Sequence, residues 1–170
     1  MTIWKIARAC KGHLAVPAGK HTGTCPAAGM AVIRGYSGKE AAGIVIDSRK
    51  VEPGDIFEAI RGERVDGQQF IREVFDKGAI AVVCEEEPEE LPGPCIRVED
   101  SLAALRQIAA FYREQMPIPI VGITGSVGKT STKEFVASVL AQKYMSHKTQ
   151  GNFNNEIGVP LTLLAMPEDT

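Results

Sequence analysis

The sequence is poor in aromatic side chains, at 6% of 170 residues, and it carries only 3 histidines and 4 cysteines. Cys10, Cys25, Cys84 and Cys95 form no C-x-x-C pair and have no neighbouring histidine, so the spacings of a zinc site are missing. Thiols scattered in this way point to reduced cysteines in a cytoplasmic protein rather than to a disulfide framework. His13, His21 and His147 likewise lack metal-ligand spacing and read as ordinary surface residues. No run approaches the roughly 18 consecutive apolar residues that cross a bilayer. Lysine and arginine interrupt the apolar residues of MTIWKIARACKGHL, which therefore lacks a secretory core. Membrane insertion is therefore not expected, and the formal net charge of -2 leaves no global positive field, so nucleic acid is not an expected partner.

What is present is a globular composition, 44% hydrophobic and 24% charged. A first helix is expected over Ile3 to Cys10, ending near Gly12. From Pro17 to Gly43 the chain is rich in Gly, Pro, Ala and Thr and reads as loops with at most one short strand. Ile44 to Ile46 and Asp55 to Ile60 have strand character, the second after a Pro53-Gly54 turn. Phe70, Ile71, Val74 and Phe75 then recur at helical spacing, with Asp66 as cap and Gly78 just past the end. Ala79 to Cys84 is a continuous apolar run suited to a strand covered on both faces. An acidic loop, Glu85 to Pro94, leads to a strand at Ile96 to Val98. Leu102, Leu105, Ile108, Ala109 and Tyr112 mark a helix capped by Asp100 or Ser101.

Pro117 and Pro119 stop that helix, which places a domain boundary near Gln115 to Ile118: residues 1–116 form a first domain and 117–170 begin a second. The second opens with an expected strand, Ile120 to Thr124, a glycine turn, and a helix to about Lys143 whose buried face is Phe135, Val136, Val139 and Leu140. A further strand and a helix near Asn154 to Ala165 follow. The chain then ends too early to complete a sheet covered on both sides, and it is read as truncated.

The turn is the chemically informative segment: Gly125, Ser126, Val127, Gly128, Lys129, Thr130 and Ser131. Glycines let successive amides point inward, and the start of a helix adds unpaired N–H groups and the positive end of its dipole. Lys129 supplies a point charge for the terminal phosphates of ATP, and the Thr130 hydroxyl is placed to hold Mg2+. A full phosphate loop wants glycine where Ile123 stands, so the match is to the shorter G-x-x-G-K-T. A mere strand-to-helix turn would need the glycines but not the lysine and threonine.

Ile123-Thr-Gly-Ser-Val-Gly-Lys-Thr-Ser-Thr-Lys-Glu134 and Gly151-Asn-Phe-Asn-Asn-Glu-Ile-Gly-Val-Pro-Leu-Thr-Leu-Leu164 resemble the Mur ligases of peptidoglycan synthesis. Lys133, Glu134, Asn154 and Asn155 are most similar to the member that joins D-alanyl-D-alanine to UDP-N-acetylmuramoyl-tripeptide. Upstream, Asp47-Ser48-Arg49, Gly54 to Gly62, Asp66-Gly67 and Phe70 resemble the family's UDP-substrate domain. Gln68 replaces a frequent histidine, and Val127 a common asparagine. The resemblance implies an α/β fold: a small N-terminal substrate domain followed by the start of a P-loop, parallel-sheet domain.

The activity it implies is ATP-driven amide synthesis through an acyl phosphate, with Lys129 catalytic and Thr130 on the metal. Ser48 and Arg49 would meet the UDP moiety, although a surface ion pair is the plainer role for a lone arginine. Asn152 and Asn155 would approach the γ-phosphate or, equally well, cap the helix that follows. A ligase adding the third amino acid and a non-catalytic nucleotide-binding module are the alternatives.

Overall fold

The computed structural model describes residues 1–17, 38–62, 65–151, 153–167 and 169–170. Cys25, His21 and Asn152 lie outside the described residues, as does most of the loop segment expected between Pro17 and Gly43. The chain divides into two compact units, Met1–Ile108 and Ala109–Thr170.

The first unit is an α/β structure built on one sheet. Helix α1 (Ile3–Ala9) is capped by Thr2, whose side chain accepts from the Lys5 amide, and it buries Ile3, Ile6 and Ala7. Strand β1 (His13–Ala15) follows within four residues, a strand that sequence periodicity does not reveal because three residues carry almost no pattern. Strands β2 (Ile44–Val45), β3 (Ile56–Glu58), β4 (Ala81–Cys84) and β5 (Cys95–Arg97) are mutually parallel, and β1 adds to β5 antiparallel, giving the order β1-β5-β4-β3-β2. Every residue of β4 is buried, as a strand covered on both faces requires.

Asp66 caps a short 3-10 turn, Gly67–Phe70, by accepting from the Gln68 amide, and α2 (Ile71–Asp76) continues from it. Gly78 follows the end of α2 with φ +99°, and a Cβ there would lie 3.0 Å from the Pro53 Cα, so glycine is needed for both conformation and space. Val51, Phe57, Ala59, Ile71, Val74, Ala79, Val82, Cys84 and Cys95 form one apolar cluster. Each large aliphatic or aromatic side chain buried in this way stabilises the fold by about 1.5 to 3 kcal/mol. Cys10, Cys84 and Cys95 are free thiols within the interior.

Helix α3 (Ser101–Glu114) begins where Asp100 Oδ1 accepts from the Ala103 amide at 2.8 Å, and the division between the units falls inside it. The second unit contains α4 (Lys129–Leu140) and α5 (Gly158–Leu164). It holds Tyr112 Oη donating to the Met166 carbonyl at 3.0 Å and the Arg113 guanidinium donating to the carbonyls of Met116 and Ile118.

Three expectations for this unit are corrected. Ile120 to Thr124 forms no strand, and Ile120 and Val121 are exposed. Among the described residues no strand forms between α4 and α5, and the last helix starts at Gly158 rather than near Asn154. Helix α4 buries none of its residues, and Phe135 and Val139 are 73% and 69% exposed. One cause underlies the first and third. A strand and an apolar helix face are secured by neighbours, and the described residues supply no pairing strand for the one and only partial cover for the other, with Val136 and Leu140 half-buried. Among the described residues, no helix is long and apolar enough to cross a membrane.

Candidate functional site

In the first unit the carboxyl ends of the parallel strands bring polar groups together, the edge at which open α/β sheets commonly bind ligands. Past β2, Asp47 caps a 3-10 turn, Ser48–Lys50, by accepting from the Arg49 amide. The Arg49 guanidinium then folds back as a fork, with Nε 2.8 Å from Asp47 Oδ1 and Nη2 2.8 Å from Oδ2. These hydrogen bonds hold the Asp47 carboxyl down at about 2. Arg49 is 84% exposed and spends two of a guanidinium's five N–H donors on Asp47. Ser48 is buried, and its carbonyl accepts from Lys77 Nζ at 2.8 Å, which ties the turn to the end of α2.

Past β3 and β4, Arg61 gathers the acidic residues. Its Nη2 lies 2.8 Å from Glu86 Oε1 and its Nε 3.3 Å from Asp66 Oδ2. Glu85 Oε1 accepts from both the amide and the hydroxyl of Ser101, at 2.9 and 2.8 Å. The Gln68 amide, turned so that its oxygen meets a donor, accepts from the Glu85 amide and donates to the Glu86 carbonyl. Sequence reading assigns no task to Arg61, Glu85 or Lys77, because their partners are distant in the chain and only the fold brings them together.

In the second unit the glycine loop turns through two positive-φ positions. Gly125 has φ +150° and Gly128 φ +83°, and a Cβ at Gly128 would meet nothing within 4 Å. Gly128 is the N-cap of α4 with no side-chain cap, so the first amides of the helix are not satisfied by a capping side chain. Ser126, Val127, Thr130 and Ser131 are all exposed around this helix start. Lys129 Nζ donates to the Gly125 carbonyl, which draws the ammonium back to the loop.

Asn155 Oδ1 accepts from the Gly158 amide at 2.7 Å, which engages its oxygen at the start of α5, and Nδ2 supplies the donors an anionic ligand would need. His147 departs from the surface role expected of it, because its Nε2 lies 3.1 Å from the Thr162 carbonyl. Sequence reading assigned Lys133 only a family likeness. Its Nζ contacts the carbonyls of Thr149 and Gly151 at 2.7 and 3.1 Å.

Two family models match: the Mur ligase family catalytic domain over residues 40–113, and the Mur ligase middle domain over 123–170. The chain is 40% identical, over 99% of its length, to the UDP-N-acetylmuramoyl-tripeptide--D-alanyl-D-alanine ligase of Bacillus subtilis, and covers 34% of that protein. It is 50% identical over 74% of its length to the enzyme of the same name from Synechocystis, covering 28% of it. Among solved structures, a MurF from Acinetobacter baumannii superimposes with a TM-score of 0.80 at 30% identity, over 99% of this chain and 33% of that one. MurF of Thermotoga maritima in complex with ADP does so with a TM-score of 0.67 at 36% identity, over 74% and 29%. The chain thus spans about a third of the length of the relatives it matches. With models matched in both halves and the fold reproduced, the chain belongs to the Mur ligase family.

Proposed function

We propose that this chain is the N-terminal part of an ATP-dependent ligase that adds D-alanyl-D-alanine to UDP-N-acetylmuramoyl-tripeptide in the cytoplasm. Residues 1–116 serve as the UDP-substrate domain and 117–170 open the ATP domain. The observation that carries this reading is the uncapped start of α4 behind Gly128, an anion cradle with Lys129 over it, in a chain whose relatives bear that ligase's name.

The residues fit the triphosphate. The amides from Gly125 to Ser131 and the helix dipole face the phosphate oxygens, and Lys129 exchanges its carbonyl partner for the transferring group. Thr130, exposed beside the cradle, would hold Mg2+, which supplies neutralisation of the charge developing on the phosphates. In the first step a carboxylate oxygen of the tripeptide bonds to the γ-phosphorus while the bond to the bridging oxygen breaks, releasing ADP. The amine of D-alanyl-D-alanine then bonds to the acyl carbon, phosphate leaves, and the nitrogen loses its proton. This chain's part is positioning and charge neutralisation, which dominate phosphoryl transfer.

Ser48 and Arg49 would receive the UDP moiety, Arg49 through its three remaining N–H donors and Ser48 at the turn that Lys77 steadies. Asn155, through Nδ2, and Asn152 would approach the γ-phosphate. The test is ADP release by the full-length protein carrying this chain. Release that requires both UDP-N-acetylmuramoyl-tripeptide and D-alanyl-D-alanine supports the reading; release with the dipeptide precursor and a diamino acid instead overturns it.

A further inference from the structure

Lys133 lies four residues beyond Lys129, so their Cα atoms share one face of α4, about 6 Å apart along its axis. Lys129 bends back to the phosphate loop. Lys133 reaches sideways: Nζ is 2.7 Å from the Thr149 carbonyl, 3.1 Å from that of Gly151 and 3.2 Å from Glu134 Oε1. An ammonium has three protons, and these three acceptors account for all of them. The Lys133 side chain is only 16% exposed, unlike a lysine placed to meet solvent or a mobile ligand.

Neighbouring contacts reinforce the same junction. The other oxygen of Glu134 accepts from Lys148, and the Lys148 and Lys133 ammonium groups hold the Glu134 carboxyl below its ordinary value. His147 meets the Thr162 carbonyl on α5. The segment from 147 to 151 is thereby fixed to α4 on one side and to α5 on the other, and it leads directly towards Asn155.

We propose that Lys133 is a positioning residue for phosphoryl transfer: by closing the Thr149–Gly151 backbone onto α4, it sets the place of the asparagine-bearing segment relative to the phosphate loop. This rests on the ligase reading, but its geometric half does not. Lys133 acts through the backbone it holds, because its own donors are already engaged.

The test uses the full-length protein carrying this chain, with K133M and K133R variants and two readouts. Hydrogen exchange of the amides between 147 and 158 reports the closure directly and needs no turnover. Steady-state kinetics with ATP, UDP-N-acetylmuramoyl-tripeptide and D-alanyl-D-alanine report its consequence. K133M is expected to speed exchange in that segment and to lower kcat by ~10²-fold, as a misplacement of about 1 Å can. KM for ATP should change by less than about threefold, because the loop from Gly125 to Ser131 is intact.

K133R, which can still donate to both carbonyls, should restore protection and at least about a tenth of kcat. Unchanged exchange in K133M overturns the proposal, as does faster exchange with kcat unaltered. If K133M does not fold, K133R decides alone: protection with kcat retained supports the proposal, and protection with kcat as low as that of a Lys129 variant overturns it. Should the wild type release no ADP with these substrates, the ligase reading fails. The proposal for catalysis then fails with it, while the exchange data still show whether Lys133 closes the segment.

Discussion

Glu58 and Val83 are register partners in β3 and β4, and the Glu58 carboxyl at that position is completely buried, with neither oxygen hydrogen-bonded among the described residues. Burial first, then the charges of Cys84 and Glu85, hold this acid well above its ordinary value of 4.5, and Cys10 senses the same carboxyl. Folded chains keep the proton while unfolded chains have released it. The contribution is therefore fully present below about pH 4.5 and is lost as pH rises towards the folded value, by roughly 1.4 kcal/mol per pH unit in between. The urea midpoint, followed by fluorescence of Trp4 in α1, should fall between about pH 5 and about pH 7. Glu58→Gln should flatten that difference, and an equal slope in the variant would show that Glu58 is not its source.

Gly128 has φ +83° at the N-cap of α4, a conformation that costs an L-residue about 1 to 2 kcal/mol although its Cβ would meet open space. Gly128→Ala should therefore weaken nucleotide binding measured by calorimetry about tenfold, through backbone strain in the cradle rather than a clash.

Lys129→Ala removes the one ammonium set over the loop. Turnover by the full-length ligase should drop by about 10²- to 10³-fold or more, the scale for losing one group that meets developing charge. Measured binding of the UDP substrate should be unchanged, because Ser48 and Arg49 lie in the other unit.

Asn155→Ala deletes the oxygen that accepts the Gly158 amide at the entry to α5, a helix of only seven residues whose N-cap, Ile157, makes no side-chain cap bond. About 1 kcal/mol should be lost, visible as earlier thermal melting, and Asn155→Asp should recover it. If Asp restores melting but not kcat, the Nδ2 donors serve the reaction as well.

Arg49→Lys keeps the charge but loses the fork that spans both Asp47 oxygens. KM for the UDP substrate should rise several-fold while KM for ATP holds, which initial-rate measurements will separate.

The first unit was legible because its signals are local. Asp66 caps where Asp66 was expected to cap, Gly78 ends its helix, and Ala81 to Cys84 is a strand buried on both faces. The fold class came with the resemblance to the Mur ligases, and these elements agree with it. β1 escaped because three residues carry no periodicity, and Ile120 to Thr124 misled because an apolar run states a propensity, not the presence of a partner. The turn and helix start at Gly125 to Lys129 could be read directly, since the residues that form them are contiguous. The engagement of Lys133 with Thr149 and Gly151 could not, because its partners lie 16 and 18 residues away.

Phe135 and Val139, bare along one side of α4 with Val121 also uncovered, have a practical consequence at the bench. The segment prepared by itself should light up environment-sensitive dyes, cling to phenyl resin and salt out early, since greasy surface of this kind is what ammonium sulfate drives together.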